Sequence, residues 1–186
     1  MIQLFFEVHM LAYLFVILAI AVRFMPHPFA FTPVGASLLF FGARGPRRQW
    51  WIPLILLAAS DVILTKLFYV FPFTWDHFVT WAWYAAMLWL GARLRETNKP
   101  LPILGASLAG SVSFFVVSNF AVWGAWGDMY PRTLGGLMAC YAAGVPFFRR
   151  AIEGDILFTS VMFLTPVVLH ALSHANAKSG DHIAAA

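Results

Sequence analysis

The stretch Trp50-Trp51-Ile52-Pro53-Leu54-Ile55-Leu56-Leu57-Ala58-Ala59-Ser60-Asp61-Val62-Ile63-Leu64-Thr65-Lys66-Leu67-Phe68-Tyr69-Val70 decides the fold. It is almost wholly apolar and as long as a helix must be, about 20 residues, to cross the hydrocarbon core of a bilayer. One carboxylate, Asp61, stands near its middle. A charge there is costly, so it faces a cavity or a partner. Six other apolar segments flank this one: Leu4–Val22, Pro33–Ala43, Phe78–Leu94, Pro102–Trp123, Pro131–Phe148 and Gly154–Leu172. The chain therefore reads as one transmembrane helical domain over residues 1–172, with a short polar tail over 173–186.

Composition agrees with this reading. The 186 residues are 61% apolar and 11% charged, and mean hydropathy is +0.78. Soluble domains carry about 45–50% apolar and about 25% charged residues. A soluble fold of this length has too little interior for that apolar surface, which excludes a water-soluble enzyme and a disordered chain. The 8 Trp, 5 Tyr and 19 Phe suit lipid contact, interfacial anchoring and apolar pockets.

The net charge of +4 is read as the Lys/Arg bias of cytoplasmic loops and not as a nucleic-acid surface. If all seven segments cross, Arg44, Arg47, Arg48, Arg93, Arg95, Lys99, Arg149 and Arg150 fall on the N-terminal side. Arg23, Lys66, Arg132 and Lys178 fall on or near the other. This predicts a cytoplasmic N-terminus and an external C-terminus. The weak points are Pro131–Phe148 and Pro33–Ala43, the latter of 11 residues that reach only about 16 Å as a helix, and either can be re-entrant. Six crossings plus one partial segment buried in protein is the alternative. Residues 4–22 lack a basic n-region and a cleavage site, so they read as a retained helix. A single cysteine, Cys140, excludes an internal disulfide.

Small residues recur every fourth position in the fifth segment (Gly105, Ala109, Ser113, beside Ala106 and Gly110) and in the sixth (Gly135, Ala139, Ala143, beside Gly136, Cys140 and Gly144). Such spacing lets helix backbones approach closely. These two segments are expected to touch each other or a partner chain.

Several groups are candidates for chemistry. Asp61 can bind a polar ligand, a proton or a cation, or else pack by bonding Thr65 one turn on. Residues 118–133 contain Asn119, Trp123, Trp126, Tyr130 and Arg132, which together suit a concave site with aromatic walls and a few orienting polar groups. Their alternative is interfacial anchoring, with Asp128 pairing Arg132. Asp155 opens the last segment, where an acid caps the positive end of a helix dipole. His27, between Pro26 and Pro28, sits in a rigid loop near the outer face. His170 and His174 have helical metal-binding spacing but only two ligands are visible. Cys140 reads as a packing residue. No phosphate loop, HExxH or GxSxG is present. No catalytic activity and no cofactor is expected.

The pattern Arg23-x-x-Pro26-His27-Pro28, Phe31-Thr32-Pro33-Val34-Gly35-Ala36, Asp61, Ser118-Asn119-Phe120-x-Val122-Trp123, Met129-Tyr130-Pro131-Arg132-Thr133-Leu134, Cys140-Tyr141, Val145-Pro146-Phe147-Phe148 and Gly154-Asp155 resembles a family of small bacterial membrane proteins of unknown function. That family is similar to the substrate-binding S components of energy-coupling-factor (ECF) vitamin transporters. The second step uses the Gly45-Pro46 turn and the Pro-Phe and Gly-Asp pairs before the last segment. The resemblance implies an all-α polytopic bundle of six to seven segments in the bacterial inner membrane. It implies capture of a vitamin-sized compound or metal ion from outside. A membrane coupling protein with ATPase subunits would be the partner, alongside the lipid bilayer and with no nucleic acid.

The sequence thus predicts a small-molecule uptake protein whose ligand-binding residues are Asn119, Trp123, Trp126, Tyr130, Arg132, Asp61, Asp155 and His27, with no metal ligands. The first rival is a structural or accessory subunit of a larger membrane complex. The second is an intramembrane redox protein using Cys140 or the histidines.

Overall fold

A computed structural model describes residues 2–26, 30–95 and 97–184, and within them finds helices and no strands. There are six α-helices: α1 (Ile2–Phe24), α2 (Val34–Arg44), α3 (Trp51–Ile63), α4 (Asp76–Ala92), α5 (Pro100–Ala125) and α6 (Leu134–Ala184). A π-helical turn, Leu64–Phe68, prolongs α3. Four spans are long and apolar enough to cross a membrane: Glu7–Phe24, Arg47–Phe68, Pro100–Ala125 and Leu134–Ser173. This is a helical membrane protein.

The short second segment is the centre of the bundle. Every residue of α2 from Val34 to Ala43 is buried, which is how 11 residues that cannot span a bilayer are accommodated at membrane depth. Phe40 and Phe41 meet α1 edge-on through Phe15 and Tyr13, at 5.0 and 5.1 Å between ring centroids. Phe40 also meets Phe163 of α6 at 5.2 Å. Lipid tails are as apolar as these side chains, so close packing, rather than exclusion from water, holds such helices together. Helices α2 and α4 approach closely. A Cβ at Gly42 would stand 2.1 Å from the carbonyl oxygen of Leu88, and one at Gly91 2.2 Å from that of Leu39.

The α2–α3 and α4–α5 connections meet at one end of the bundle. Arg44 donates to the carbonyls of Leu94, Arg95 and Thr97 at 3.3, 2.7 and 2.9 Å, and Arg95 donates to that of Gly45 at 2.6 Å. Arg47, Arg48, Arg93 and Lys99 are exposed around them. Burial, and then the charge of Arg47, push the Arg95 guanidinium below its ordinary pKa. Arg44 also lies over the ring of Phe163, 5.7 Å from its centroid, so the second half of α6 reaches this same basic end.

Two expectations are corrected. The sixth and seventh segments are one continuous helix of 51 residues that contains both Pro146 and Pro166. Proline is tolerated in membrane helices when neighbouring groups satisfy the freed carbonyl, and the Arg149–Glu153 pair at 3.1 Å bridges the charged stretch at helical spacing. Gly154 is no break: it is buried against Phe31, which a Cβ there would meet at 3.2 Å. Asp155 accordingly lies within α6 and does not open a helix. The second correction concerns the small-residue faces. Gly136, Cys140 and Gly144 are buried, and Cys140 and Gly144 meet Asn119 of α5 as expected. Gly110 instead faces Met87 of α4, and Gly105 has no neighbour within 4 Å.

Candidate binding cavity

Asp61 is 7% exposed, yet both of its oxygens are satisfied. Arg23, in the last turn of α1, donates through Nη2 to Oδ1 and through Nη1 to the Ser60 hydroxyl at 2.7 Å. Tyr84 donates its hydroxyl to Oδ1 at 3.2 Å, and Trp81 its indole N–H to Oδ2 at 2.9 Å. Trp81 and Tyr84 are three apart on α4 and so share a face. A buried ion pair is tolerable only when its remaining hydrogen-bonding sites are filled, and these three donors fill them. Thr65, the alternative partner of Asp61 in the sequence reading, bonds His77 at 3.0 Å instead.

Asp155 sits on the other side of the same space. Its Oδ2 accepts from Ser111 of α5 at 2.7 Å. Below it, Ser107 and Thr159 join α5 to α6 at 3.0 Å. Its Oδ1 has no hydrogen-bond partner among the described residues. It lies against Gly35 in the first turn of α2, where a Cβ would come within 2.7 Å of it. A side chain at this position would have to push the carboxylate aside. The first turn of a helix also carries unsatisfied N–H groups and a partial positive charge, which favour a nearby anion.

Between the two aspartates lies a cavity of about 270 Å³, lined by Arg23, Ala30, Thr32, Val34, Gly35, Asp61, Leu64, Tyr69, Thr80, Trp83, Tyr84, Phe114, Ala151 and Asp155. A second space of about 250 Å³ shares Arg23, Leu64 and Tyr69 with it. Phe24, Met25, Pro26 and Phe68 complete the second space, which adjoins the first toward the end of α1. Irregular backbone collects at this wall. Ala30 has φ 64° and Val70 φ 54°, values that strain residues with a Cβ, and the π-helical turn contributes Leu64.

Of the expected site residues, the structure brings Asp61 and Asp155 together and places the others apart. Asn119 donates to the carbonyl of Phe115 at 2.8 Å and packs on α6, where Cys140 donates to its backbone oxygen at 3.3 Å. Trp123 donates to Pro131 at 3.0 Å, and Arg132 to the carbonyl of Gly124 rather than to Asp128. These bonds tie the α5–α6 connection to itself. Trp126 lines a separate space of about 360 Å³ with Thr65, Phe71, Pro72, Asp76, His77, Val122 and Met129. Tyr130 is partly buried, its backbone N–H bonded to the carbonyl of Trp126 at 3.1 Å. His27 lies outside the described residues. Among the described residues no three His, Cys, Asp or Glu side chains gather as a metal site.

Sequence reasoning missed Arg23, Trp81, Tyr84 and Ser111. A signal existed for Arg23: a lone acid at mid-helix demands a cation at the same depth. Arg23 closes one apolar segment, and the others end in basic loops.

The chain belongs to a family of unknown function, DUF6580, whose profile matches residues 4–177. No curated protein and no solved structure matches it.

Proposed function

We propose that this DUF6580 member is a membrane-embedded binding and uptake protein for a vitamin-sized small molecule, with the space between Asp61 and Asp155 as its pocket. The observation that carries this reading is the carboxylate of Asp155, which faces a cavity with one oxygen that no described residue bonds. A polar atom left in that state within a bilayer costs several kcal/mol and is retained for what it binds. The volume lies just below the ~300–1,000 Å³ usual for ligand pockets. Aromatic walls with a few convergent polar groups are the usual composition of such a site.

In this reading the basic end, with Arg44, Arg47, Arg48, Arg93, Arg95 and Lys99, faces the cytoplasm of a bacterial cell. The first turn of α2 then starts near mid-membrane, as half-helices do at the binding sites of transporters. Continuous α6 returns the chain to the basic end, so the membrane-embedded parts of α1 and α6 begin and finish on the same side. At about 1.5 Å per residue α6 is about 76 Å long, far more than the hydrocarbon thickness, and its last turns extend past the basic end. The adjoining second space lies on the outer side of the pocket in this reading, where a ligand would enter. The analogy with the S components of ECF transporters supplies the remaining parts, a coupling protein and ATPase subunits that drive release inward.

The test is mass spectrometry of small compounds carried through purification in mild detergent. A low-mass compound enriched with the wild type and depleted from Asp155→Asn protein of unchanged helicity supports the reading. Obligate co-purification of other membrane proteins with no retained compound supports the accessory-subunit reading in its place.

A further inference from the structure

We infer that the molecule this cavity takes is a monovalent organic cation, its charge on the Asp155 carboxylate and its body against the rings of Trp83, Tyr84 and Phe114. The inference rests on the binding reading above and adds the chemical class of the ligand. It begins with a count of formal charge. Among the described residues, two carboxylates and one guanidinium line the space. The charge of the guanidinium is balanced by Asp61, to which one nitrogen of Arg23 donates while another serves Ser60. Asp155 keeps an oxygen that no described group bonds. The first turn of α2 contributes about half a positive charge, which leaves the balance negative. A negative excess inside a bilayer calls for a counter-charge.

The walls decide what kind of cation. A divalent metal ion takes six or more oxygen ligands. Among the described residues this cavity offers one carboxylate oxygen without a partner and the hydroxyls of Thr32, Tyr69 and Thr80, that of Tyr84 being given to Asp61. A weakly hydrated organic cation needs fewer oxygens and gains from aromatic faces within about 6 Å. Trp83 and Phe114 stand 4.6 Å apart between centroids and Trp83 and Tyr84 6.0 Å, and all three rings border the cavity. An anionic ligand would meet Asp155, and the one guanidinium in the lining already pairs its charge with Asp61.

The experiment is thermal unfolding of the purified full-length protein in detergent, followed by tryptophan fluorescence, with three probes of similar size: benzyltrimethylammonium, benzyl alcohol and benzoate. The expected result is a saturable rise in Tm with the cation alone. Asp155→Asn should weaken it by on the order of ten- to a hundredfold in Kd, the loss of one charge-assisted contact. The wild-type ranking needs no variant, so a poorly folding Asp155→Asn protein leaves the test intact. An equal shift with benzyl alcohol, a larger one with benzoate, or no saturable shift with the cation overturns the assignment. If benzoate stabilises the protein, or a retained compound is found while the cation does nothing, the binding reading stands and only the charge class falls. If no probe binds and nothing is retained, both fall.

Discussion

Arg23 in the last turn of α1 donates to Asp61 near the middle of the third helical span, 38 residues away. Both side chains are largely withdrawn from the surface, at 16% and 8% exposure. The pair fixes the depth of α1 against α3 and gives the cavity a rigid, electrically neutral floor, on which Trp81 and Tyr84 of α4 also close.

Breaking the pair should therefore cost far more than removing it. Arg23→Gln and Asp61→Asn each leave an uncompensated buried charge, worth about 3–5 kcal/mol of stability. The double variant leaves none and should recover much of that loss. Thermal unfolding in detergent of the two single variants and the double variant checks this. Additive losses would mean that the pair does not act as a unit.

The α2–α4 crossing makes a second demand. Gly42→Ala and Gly91→Ala each drive a Cβ into a backbone carbonyl, at 2.1 and 2.2 Å, and backbone cannot step aside as a side-chain tip can. Both should reduce folded yield sharply, with a loss of about 3 kcal/mol or more, at the upper end of overpacking costs. Gly105→Ala meets nothing within 4 Å and sits in a helix. It should be neutral or stabilising by up to about 1 kcal/mol. Size-exclusion profiles and melting temperatures of the three proteins distinguish them.

The course of the chain can be read with single cysteines in a Cys140→Ser background. Gln49→Cys and Asn98→Cys lie at the end where Arg44 bonds the α4–α5 connection through Asn98. They should react with an impermeant maleimide from one side of the membrane. Gly127→Cys, beyond the far end of α5, should react from the other. Labelling of all three from one side would contradict the bundle described above.

Much of the fold was legible because membrane physics leaves few choices. A run of about 20 apolar residues has to be a helix, and α1, α3 and α5 are read from the chain to within a few residues. The 11 residues of α2 were visible as too short to span, which pointed to burial in protein. What misled was punctuation. Pro146, the Arg149-Arg150 pair and Gly154 resemble a loop, yet in α6 they are a tolerated proline, an exposed ion pair with Glu153 and a packing contact with Phe31. Of the site, Asp61 was visible as an acid in apolar surroundings, and Asp155 as an acid taken for a helix cap. Their pairing with Arg23 and Ser111 depends on how helices meet, which residue spacing within one helix does not encode. The aromatic cluster of residues 118–133 attracted attention by composition alone. In the structure, Asn119, Trp123 and Arg132 are spent on local hydrogen bonds.

That contrast gives a discriminating pair of variants. Asn119→Ala removes a contact with the α5 backbone and loosens the packing around Cys140 and Gly144. It should lower stability by about 1 kcal/mol and leave ligand retention intact. Asp155→Asn should abolish retention with a small change in melting temperature. Loss of retention in Asn119→Ala with retention kept in Asp155→Asn would move the site to the outer aromatic cluster.

The most direct measurement is a high-resolution map of the wild-type protein purified in mild detergent, inspected between Asp61 and Asp155. The account predicts compact density of vitamin size, touching Oδ1 of Asp155 and the ring of Trp83, with Arg23 still on Asp61. A cavity collapsed on its own side chains, or filled by a lipid tail with Asp155 turned onto a neighbouring group, would contradict it.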